Sequence, residues 1–371
     1  MPWMENDMLS LREEFVLKAK TKNTPFTILC KQYGISRKTG YKWLNRYENE
    51  GLLGLENQSK CPSRLNVTNC DQVDLILKTR DEFPAWGAKK LKHYLLNEGY
   101  EALPSVSTFN RILKKHNKLD RHKSDKSKKH IRFERSKPME LLQMDFKGHF
   151  LTEEGRCHPL TVIDDHSRFL LCLKSSPRES YDIVRGALEE MFQDHGLPEA
   201  MTMDNGPPWK GSPPWTLSKL TVWLMRLGIK VSHSTPYHPQ TQGKDERLHR
   251  SLKEEVLKYN NFISLNSAQK AFDHWRDIYN YKRPHEGIGM QRPCDRFQKS
   301  KRKYPGTLMA IEYDSDMIIR KVQKNGVIDF KGTRIYLGEY LYEENVGVKE
   351  LKEGRTYDVY FSKTRLKRIN F

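Results

Sequence analysis

The sequence has few of the features that mark a secreted or membrane protein. No apolar run approaches the roughly 20 residues that a membrane-spanning helix needs, and the longest apolar stretches, Phe169 to Leu173 and Leu220 to Met225, are short or interrupted. The segment MPWMENDMLS has no basic region followed by an apolar one, so a secretory signal is not expected. The six cysteines are scattered without a CxxC pair, which indicates buried or incidental thiols in a reducing compartment. We therefore expect a cytoplasmic protein.

Positive charge is in large excess. Lys and Arg number 65 against 47 Asp and Glu, which gives a formal net charge of +18. Such a surplus suits a polyanionic partner and would hinder a small-molecule enzyme through self-repulsion. DNA, RNA and an anionic membrane all meet that description, the membrane least well. With 371 residues the chain exceeds what one hydrophobic core usually organises, so two to four domains are expected.

A helix-turn-helix pattern lies between Thr24 and Gly51. Gly34 interrupts a first apolar-patterned helix, and Ser36 is a plausible N-cap for a second one. In this motif the second helix lies in the DNA major groove. The candidate DNA-contacting residues on that helix are Arg37, Lys38, Lys42 and Arg46. The alternative is an ordinary helical hairpin with a solvated charged face.

The remaining chain divides by composition and periodicity into further segments. After the first domain (residues 1–60) comes a second helical unit (61–120), equally compatible with a helix-turn-helix and with a plain three-helix unit. Residues 121–139 are a basic linker, which could also bind along the phosphate backbone of DNA. Residues 140–300 alternate strands and helices and predict an α/β sheet. Residues 301–371 predict a small β-barrel or sandwich. The predicted fold is therefore multidomain: all-α, then α/β, then β.

Three acidic residues of the α/β segment stand out. Asp145 lies on a strand whose other face is apolar, and Asp204 ends a strand at a tight turn, where sites form in open α/β sheets. On the helix that begins near Gly243, Glu246 heads the polar face, whereas Asp245 falls within the apolar arc. Glu246 is therefore the better ligand of the two.

Paired metal ions would explain such acids. Two divalent ions about 4 Å apart can assist the nucleophile, the leaving oxygen and the non-bridging oxygens of a phosphodiester, and carboxylates are ligands that Mg²⁺ prefers. Arg250 and Lys253 share the polar face with Glu246 and would bind flanking phosphates. Taken singly, each of the three acids is more often structural than catalytic.

The motifs around these acids match a known family. QMDFKGHF, TMDNGPPW and HSTPYHPQTQGKDERLHRSLKEE, followed by YNYKRPHEGIGMQRP, resemble the core motifs of bacterial insertion-sequence transposases, in the retroviral-integrase superfamily. The resemblance implies an RNase H-like core and assigns the metal triad to Asp145, Asp204 and Glu246. It also implies that Lys253 contacts DNA near the reacting end. The interval from Asp204 to Glu246 is a few residues longer than the familiar one.

We therefore expect a DNA transposase that uses two Mg²⁺ ions, with Mn²⁺ as a substitute. It would bind terminal inverted repeats, expose a 3′-hydroxyl by hydrolysis and join it to target DNA, without a covalent protein–DNA intermediate. Synapsis of two double-stranded DNA ends implies a homo-oligomer, at least a dimer, associated with the nucleoid. The alternatives are a DNA-binding regulator with an inert core and a metal-dependent nuclease that does not join.

Other candidates are weaker. Asp164 and Asp165 are adjacent and favour a hairpin turn over a catalytic pair. His233 and His238 have no cysteine partners, so a zinc site is not expected. Two tryptophans, Trp209 and Trp215, could stack on unpaired bases or serve as packing anchors.

Overall fold

The computed structural model describes residues 8–57, 69–119, 134–204, 206, 209, 217–233, 243–308, 310–352 and 355–371. The chain divides into two compact units, residues 1–67 and 68–371. The boundaries of the five predicted segments remain predictions. Most of the basic linker, Trp215, His238 and the loop before Gly243 lie outside the described residues. Among the residues that are described, no helix is both long and apolar enough to cross a bilayer.

The first unit is a small helical domain. Its helices are α1 (Met8–Thr21), α2 (Phe26–Gln32) and α3 (Arg37–Glu50), followed by a 3₁₀ turn (Gly51–Leu55). Ser36 caps α3 by accepting a hydrogen bond from the Thr39 backbone N–H at 3.1 Å, as predicted. Gly40 lets α3 approach α2, because a Cβ there would lie 2.8 Å from the Cys30 sulfur. Helix α2 is therefore followed by a turn at Gly34, with φ of 63°, and then by helix α3.

The second unit begins with another helical group. Its helices are α4 (Cys70–Glu82), α5 (Ala88–Asn97) and α6 (Val106–Lys115). Trp86, stacked on Phe83 with ring centroids 4.0 Å apart, fills the centre of this group. Ser105 caps α6 by accepting from the Thr108 N–H. Lys89 forms an ion pair with Glu286, so this group contacts the α/β core.

The core contains a mixed five-stranded sheet. Its region has the strands β1 (Leu141–Phe146), β2 (Phe150–Thr152), β3 (Gly155–Cys157), β4 (Leu160–Asp164), β5 (Leu170–Lys174), β6 (Ala200–Met203) and β7 (Lys230–His233). The sheet order is β5-β4-β1-β6-β7, antiparallel from β5 to β1 and parallel from β1 to β7. The β2–β3 hairpin was not predicted, because strands of only three residues are too short to show an alternating pattern.

Helices cover both faces of this sheet. They are α7 (Tyr181–His195), α8 (Lys219–Arg226), α9 (Gly243–Leu252), α10 (Leu265–Asp277) and the short α11 (Pro293–Arg296). Helices α7 and α8 pack on one face through residues such as Leu188 and Trp223. Helices α9 and α10 pack on the other through Leu248 and Phe272. One wide π-helical turn follows each of α9 and α10. The predicted α/β sheet is therefore confirmed, and the core has three layers, α/β/α.

The C-terminal segment is rich in β-structure. Its strands are β8 (Met317–Lys321), β9 (Val327–Phe330), β10 (Thr333–Tyr336), β11 (Asn345–Lys352), β12 (Thr356–Phe361) and β13 (Thr364–Asn370). They form an antiparallel sheet in the order β13-β12-β11-β8 and a separate β9–β10 hairpin. The predicted β-rich domain is confirmed. A closed barrel is not shown, because no pairing joins β13 to β8 in the described part of this segment.

Candidate active site

Asp145 lies on the face of the sheet that α9 covers. Leu142, Met144 and Phe146 point to the opposite core, so strand alternation directs Asp145 towards α9. Its side chain is half-buried. Burial, and next the negative charge of Asp204, raise the pKa of the Asp145 carboxyl to about 7.

Asp204 lies at the same edge of the sheet as Asp145. It directly follows β6, which runs parallel to β1 with Gln143 opposite Thr202. Continuing that register by two residues brings Asp145 level with Asp204. The side chain of Asp204 is exposed, and its backbone carbonyl accepts a hydrogen bond from His233 Nδ1 at 3.0 Å. The two aspartates therefore project from neighbouring parallel strands at their carboxyl ends.

The first turn of α9 directs the side chains of two adjacent acids to different environments. Glu246 is exposed, whereas Asp245 is only 1 % exposed and neither of its carboxyl oxygens has a hydrogen-bond partner. Burial, and next the negative charge of Asp145, raise the pKa of Asp245 well above its usual value. The side chains therefore point as the helical pattern predicted, with Asp245 inwards and Glu246 outwards.

The structure brings Asp145 and Asp204 together, and it leaves Glu246 on the adjoining helix. Helix α9 packs on β1 and β4. Within the described ranges, no three His, Cys, Asp or Glu side chains are grouped to hold a metal ion as they stand. The donor chemistry nevertheless suits Mg²⁺, because Asp145 and Asp204 are hard oxygen donors whose mutual repulsion a divalent cation would relieve.

Basic side chains border this edge. Arg250 and Lys253 are both exposed, with Lys253 beginning the π-helical turn after α9. Burial, and next the charge of Lys253, lower the pKa of Lys147, so the two ammonium groups are neighbours. Lys147 was missed by the sequence analysis, although it directly follows β1 and lies two residues after Asp145. Phosphate oxygens would be favourable ligands for this group of cations.

A buried carboxylate fixes the start of α9. The Asp165 carboxylate forms an ion pair with Lys244 and also accepts hydrogen bonds from Gln143 Nε2 and the Arg135 N–H, both at 2.8 Å. Asp164 accepts from both the backbone N–H and the hydroxyl of Ser167. The predicted turn is therefore a buried anchor, and the role of Asp165 was missed because its partners lie far away in sequence.

Trp209 is a packing residue. It is 3 % exposed, belongs to the core beneath α7 and α8, and lies 5.2 Å from Phe146 between ring centroids. Its ring therefore cannot offer a free face for stacking on a base, and of the two predicted roles the packing role is correct.

Several family models match the chain. The integrase core domain matches residues 135–239, and a second integrase core model matches residues 227–293. A helix-turn-helix domain matches residues 11–63 and a homeodomain-like domain residues 39–113. The C-terminal domain of the IS481 family transposases matches residues 317–371.

Proteins of insertion elements are among its relatives. An uncharacterized 39.2 kDa protein of insertion element IS476 from Xanthomonas euvesicatoria is 28% identical over 159 residues, 43% of this chain and 44% of that protein. An uncharacterized 31.7 kDa protein of IS407 from Burkholderia multivorans is 25% identical over 158 residues, 43% and 55% of the two chains. The aligned part therefore spans about half the length of these relatives. The chain belongs to the bacterial insertion-sequence transposases of the integrase superfamily.

Viral proteins are also similar to this transposase. A Pro-Pol polyprotein of feline foamy virus is 26% identical over 159 residues, 41% of this chain and 13% of that protein. A chain of the simian T-cell lymphotropic virus intasome, solved with a regulatory subunit of PP2A, aligns with 72% of this chain and 89% of its own, at 15% identity and a TM-score of 0.39. The HTLV-2 integrase catalytic core with magnesium, in its trimeric form, aligns with 44% of this chain and 99% of its own, at 17% identity and a TM-score of 0.33.

The N-terminal unit of the transposase contains the predicted helix-turn-helix. On its second helix Arg37, Lys38 and Lys42 are exposed, whereas Arg46 is half-buried. The Arg46 guanidinium lies 5.3 Å from the centre of the Trp43 ring, and the Lys42 ammonium lies 4.7 Å from it. Three of the four predicted residues are therefore exposed to a ligand, whereas Arg46 is half-buried, and both Lys42 and Arg46 contact the Trp43 ring.

Proposed function

We propose that this transposase cleaves and joins DNA at Asp145, Asp204 and Glu246, with two Mg²⁺ ions held by these three carboxylates and Mn²⁺ able to replace them. The observation that carries the proposal is the level placement of Asp145 and Asp204 on neighbouring parallel strands. The negative charge of Asp204 contributes to the raised pKa of Asp145, which is the charge excess expected of a cation site. Glu246 is exposed on the helix beside them.

When bound, the metal ions would activate the attacking oxygen and neutralise charge at the phosphate. The protein's own groups would bind and orient the DNA. Arg250 and Lys253 would contact phosphates that flank the scissile bond, and Lys147 would contact the same DNA backbone from the end of β1. Asp245 points into the core, where burial raises its pKa, and it would take no part in ligation.

Recognition of the DNA would involve the N-terminal unit. Arg37, Lys38 and Lys42 lie exposed on α3, the helix that enters the major groove in this motif. The natural substrates would be the terminal inverted repeats of a mobile element. Hydrolysis would expose a 3′-hydroxyl there, and that hydroxyl would then attack target DNA. Because two ends must be held together, we propose a homo-oligomer, at least a dimer, that works in the cytoplasm on nucleoid DNA.

A joining assay tests this proposal. Purified protein, Mg²⁺ and labelled duplexes from the element ends should yield nicked ends and then products joined to a target duplex. Asp204→Asn should abolish both products while retaining DNA binding, and Glu246→Gln should do the same. Asp194→Asn, an exposed acid on α7, is the matched control and should remain active.

Three outcomes would contradict the proposal in different ways. Unaltered joining by Asp204→Asn would refute the triad assignment. Nicking without joining by the wild-type protein would identify a nuclease. DNA binding without either reaction would identify a regulator with an inert core.

A further inference from the structure

A two-bond relay joins helix α9 to the backbone of Asp145. The hydroxyl of Thr161 lies 3.0 Å from the carbonyl oxygen of Asp145 and 2.9 Å from Nε2 of His249. Because a carbonyl can only accept, the Thr161 hydroxyl donates to Asp145. Its oxygen then accepts from the N–H at Nε2 of His249, which fixes the tautomer of the imidazole. Both bonds have lengths normal for their type.

The relay lies where Asp145 is paired with a neighbouring strand on one side only. Thr161 is fully buried on β4, directly opposite Asp145 in the β1–β4 register. On the other side of β1, registered pairs with β6 end at Gln143, two residues earlier. The last part of β1, which carries Asp145, is therefore held towards α9 through Thr161.

His249 lies on α9 between the buried and the polar face. It is half-buried and follows Glu246 by three residues, close to one helical turn. Burial, and next the charge of Lys147, lower the pKa of His249 to about 4, which agrees with a neutral imidazole acting as a donor. A shift of the His249 ring would therefore move the same helical turn that carries Glu246.

We propose that His249 and Thr161 are positioning residues that set the separation between the carboxylates of Asp145 and Glu246. Neither residue touches the DNA or the metal ions. Their bonds hold β1 and α9 at one spacing before metal and DNA bind. The inference rests on the proposed metal-binding function of this site. Misplacement of a reacting group by about 1 Å can lower a rate by about 100-fold.

The test compares variants that remove the relay with variants that retain it. His249→Leu and Thr161→Val remove the bonds, whereas His249→Asn retains an N–H donor and Thr161→Ser retains the hydroxyl. Thr79→Val is the control, because it removes another buried hydroxyl that donates to a backbone carbonyl, Leu75 O at 2.7 Å, on α4. Each full-length protein is assayed for Mn²⁺ affinity by calorimetry, for kcat and KM of DNA joining, and for its unfolding temperature.

We expect His249→Leu and Thr161→Val to weaken Mn²⁺ binding about tenfold and to lower kcat by about 10- to 100-fold, with KM for DNA unchanged. His249→Asn and Thr161→Ser should remain within a few-fold of wild type. The double variant Thr161→Val/His249→Leu should be no worse than the poorer single variant, because both changes break one relay. Thr79→Val should bind Mn²⁺ and join DNA as wild type does.

Wild-type Mn²⁺ affinity in both relay-breaking variants would overturn the inference, as would losses that multiply in the double variant or equal damage from Asn and Leu at position 249. A wild-type protein that binds Mn²⁺ but joins no DNA would refute the proposed joining activity alone, and the affinity comparison would still decide the role of the relay. A wild-type protein that binds no Mn²⁺ would overturn both.

Discussion

Arg283 and Glu255 form an ion pair that is almost completely buried, with Arg283 Nη2 2.8 Å from Glu255 Oε1 and side-chain exposures of 6% and 8%. Trp275 Nε1 donates to the second oxygen of Glu255 at 3.0 Å, and Arg283 also donates to the hydroxyl of Ser251 on α9. This group links α9, the turn that follows it and α10. It therefore fixes the helical layer that carries Glu246.

Breaking this pair should cost much of the stability of the core. We expect Glu255→Gln to lower the free energy of unfolding by about 3–5 kcal/mol, because it leaves a buried guanidinium without its counter-charge. Urea denaturation measures the change. The control is Glu190→Gln, which breaks an exposed pair with Lys174 and should cost less than about 1 kcal/mol. Equal effects of the two variants would contradict this assignment.

The buried Asp245 should make stability depend on pH. Its folded pKa lies above the unfolded value, because of burial and then the charge of Asp145. Its contribution to stability is therefore complete below about pH 4 and is lost as pH rises through the folded pKa. We expect Asp245→Asn to raise the unfolding temperature, by an amount that grows from pH 4 to pH 8.

DNA-joining assays of variants at Asp245 and Glu246 complement the unfolding measurement. Asp245→Asn should keep joining activity, whereas Glu246→Gln should lose it. The reverse pattern would make Asp245 the ligand and would refute the assignment of Glu246.

Lys90 should produce the opposite pH trend. Burial, and next the charge of Arg283, lower the pKa of this α5 lysine to about 7 from an unfolded value near 10.5. Its contribution to stability is present above the unfolded pKa and falls as pH drops towards 7. Lys90→Met should therefore stabilise the protein most at pH 7 and have little effect near pH 11, as measured by urea denaturation. A gain that is independent of pH would show that Lys90 is not desolvated.

DNA affinity should separate the basic residues of α3. Lys38→Ala and Lys42→Ala should weaken binding of an element-end duplex and each lower the salt slope by about one. Arg46→Ala should also lower the unfolding temperature, because Arg46 packs against Trp43. Lys31→Ala, an exposed lysine on α2, is the control and should leave the slope unchanged. An equal fall in the salt slope for Lys31→Ala would mean that the DNA contacts are not confined to α3.

Local patterns were sufficient to predict much of the fold. Alternation along β1, the cap at Ser36 and the apolar stripe of α9 each depend on residues a few positions apart, which is the range over which sequence periodicity carries information. Strand β11 was missed, because charged residues interrupt the second half of Asn345–Lys352 and its pairing with β8 and β12 is not visible locally.

The candidate site was predicted less completely than the fold. The inward direction of Asp245 followed from helical geometry, but that geometry assumes 3.6 residues per turn and ends where the wider turn begins at Lys253. Lys244 lies 79 positions from its partner Asp165, and His249 lies 88 positions from its partner Thr161. Contacts at that distance arise from the tertiary fold, so no periodicity could have indicated them.

The Asp165 carboxylate is a junction where the chain entering the core, strand β1 and the start of α9 meet. A change of this one side chain disturbs three segments at once, so a deep mutational scan should find position 165 as intolerant of substitution as position 145. Intolerance in such a scan would therefore not distinguish the residues that do chemistry from those that assemble the framework around it.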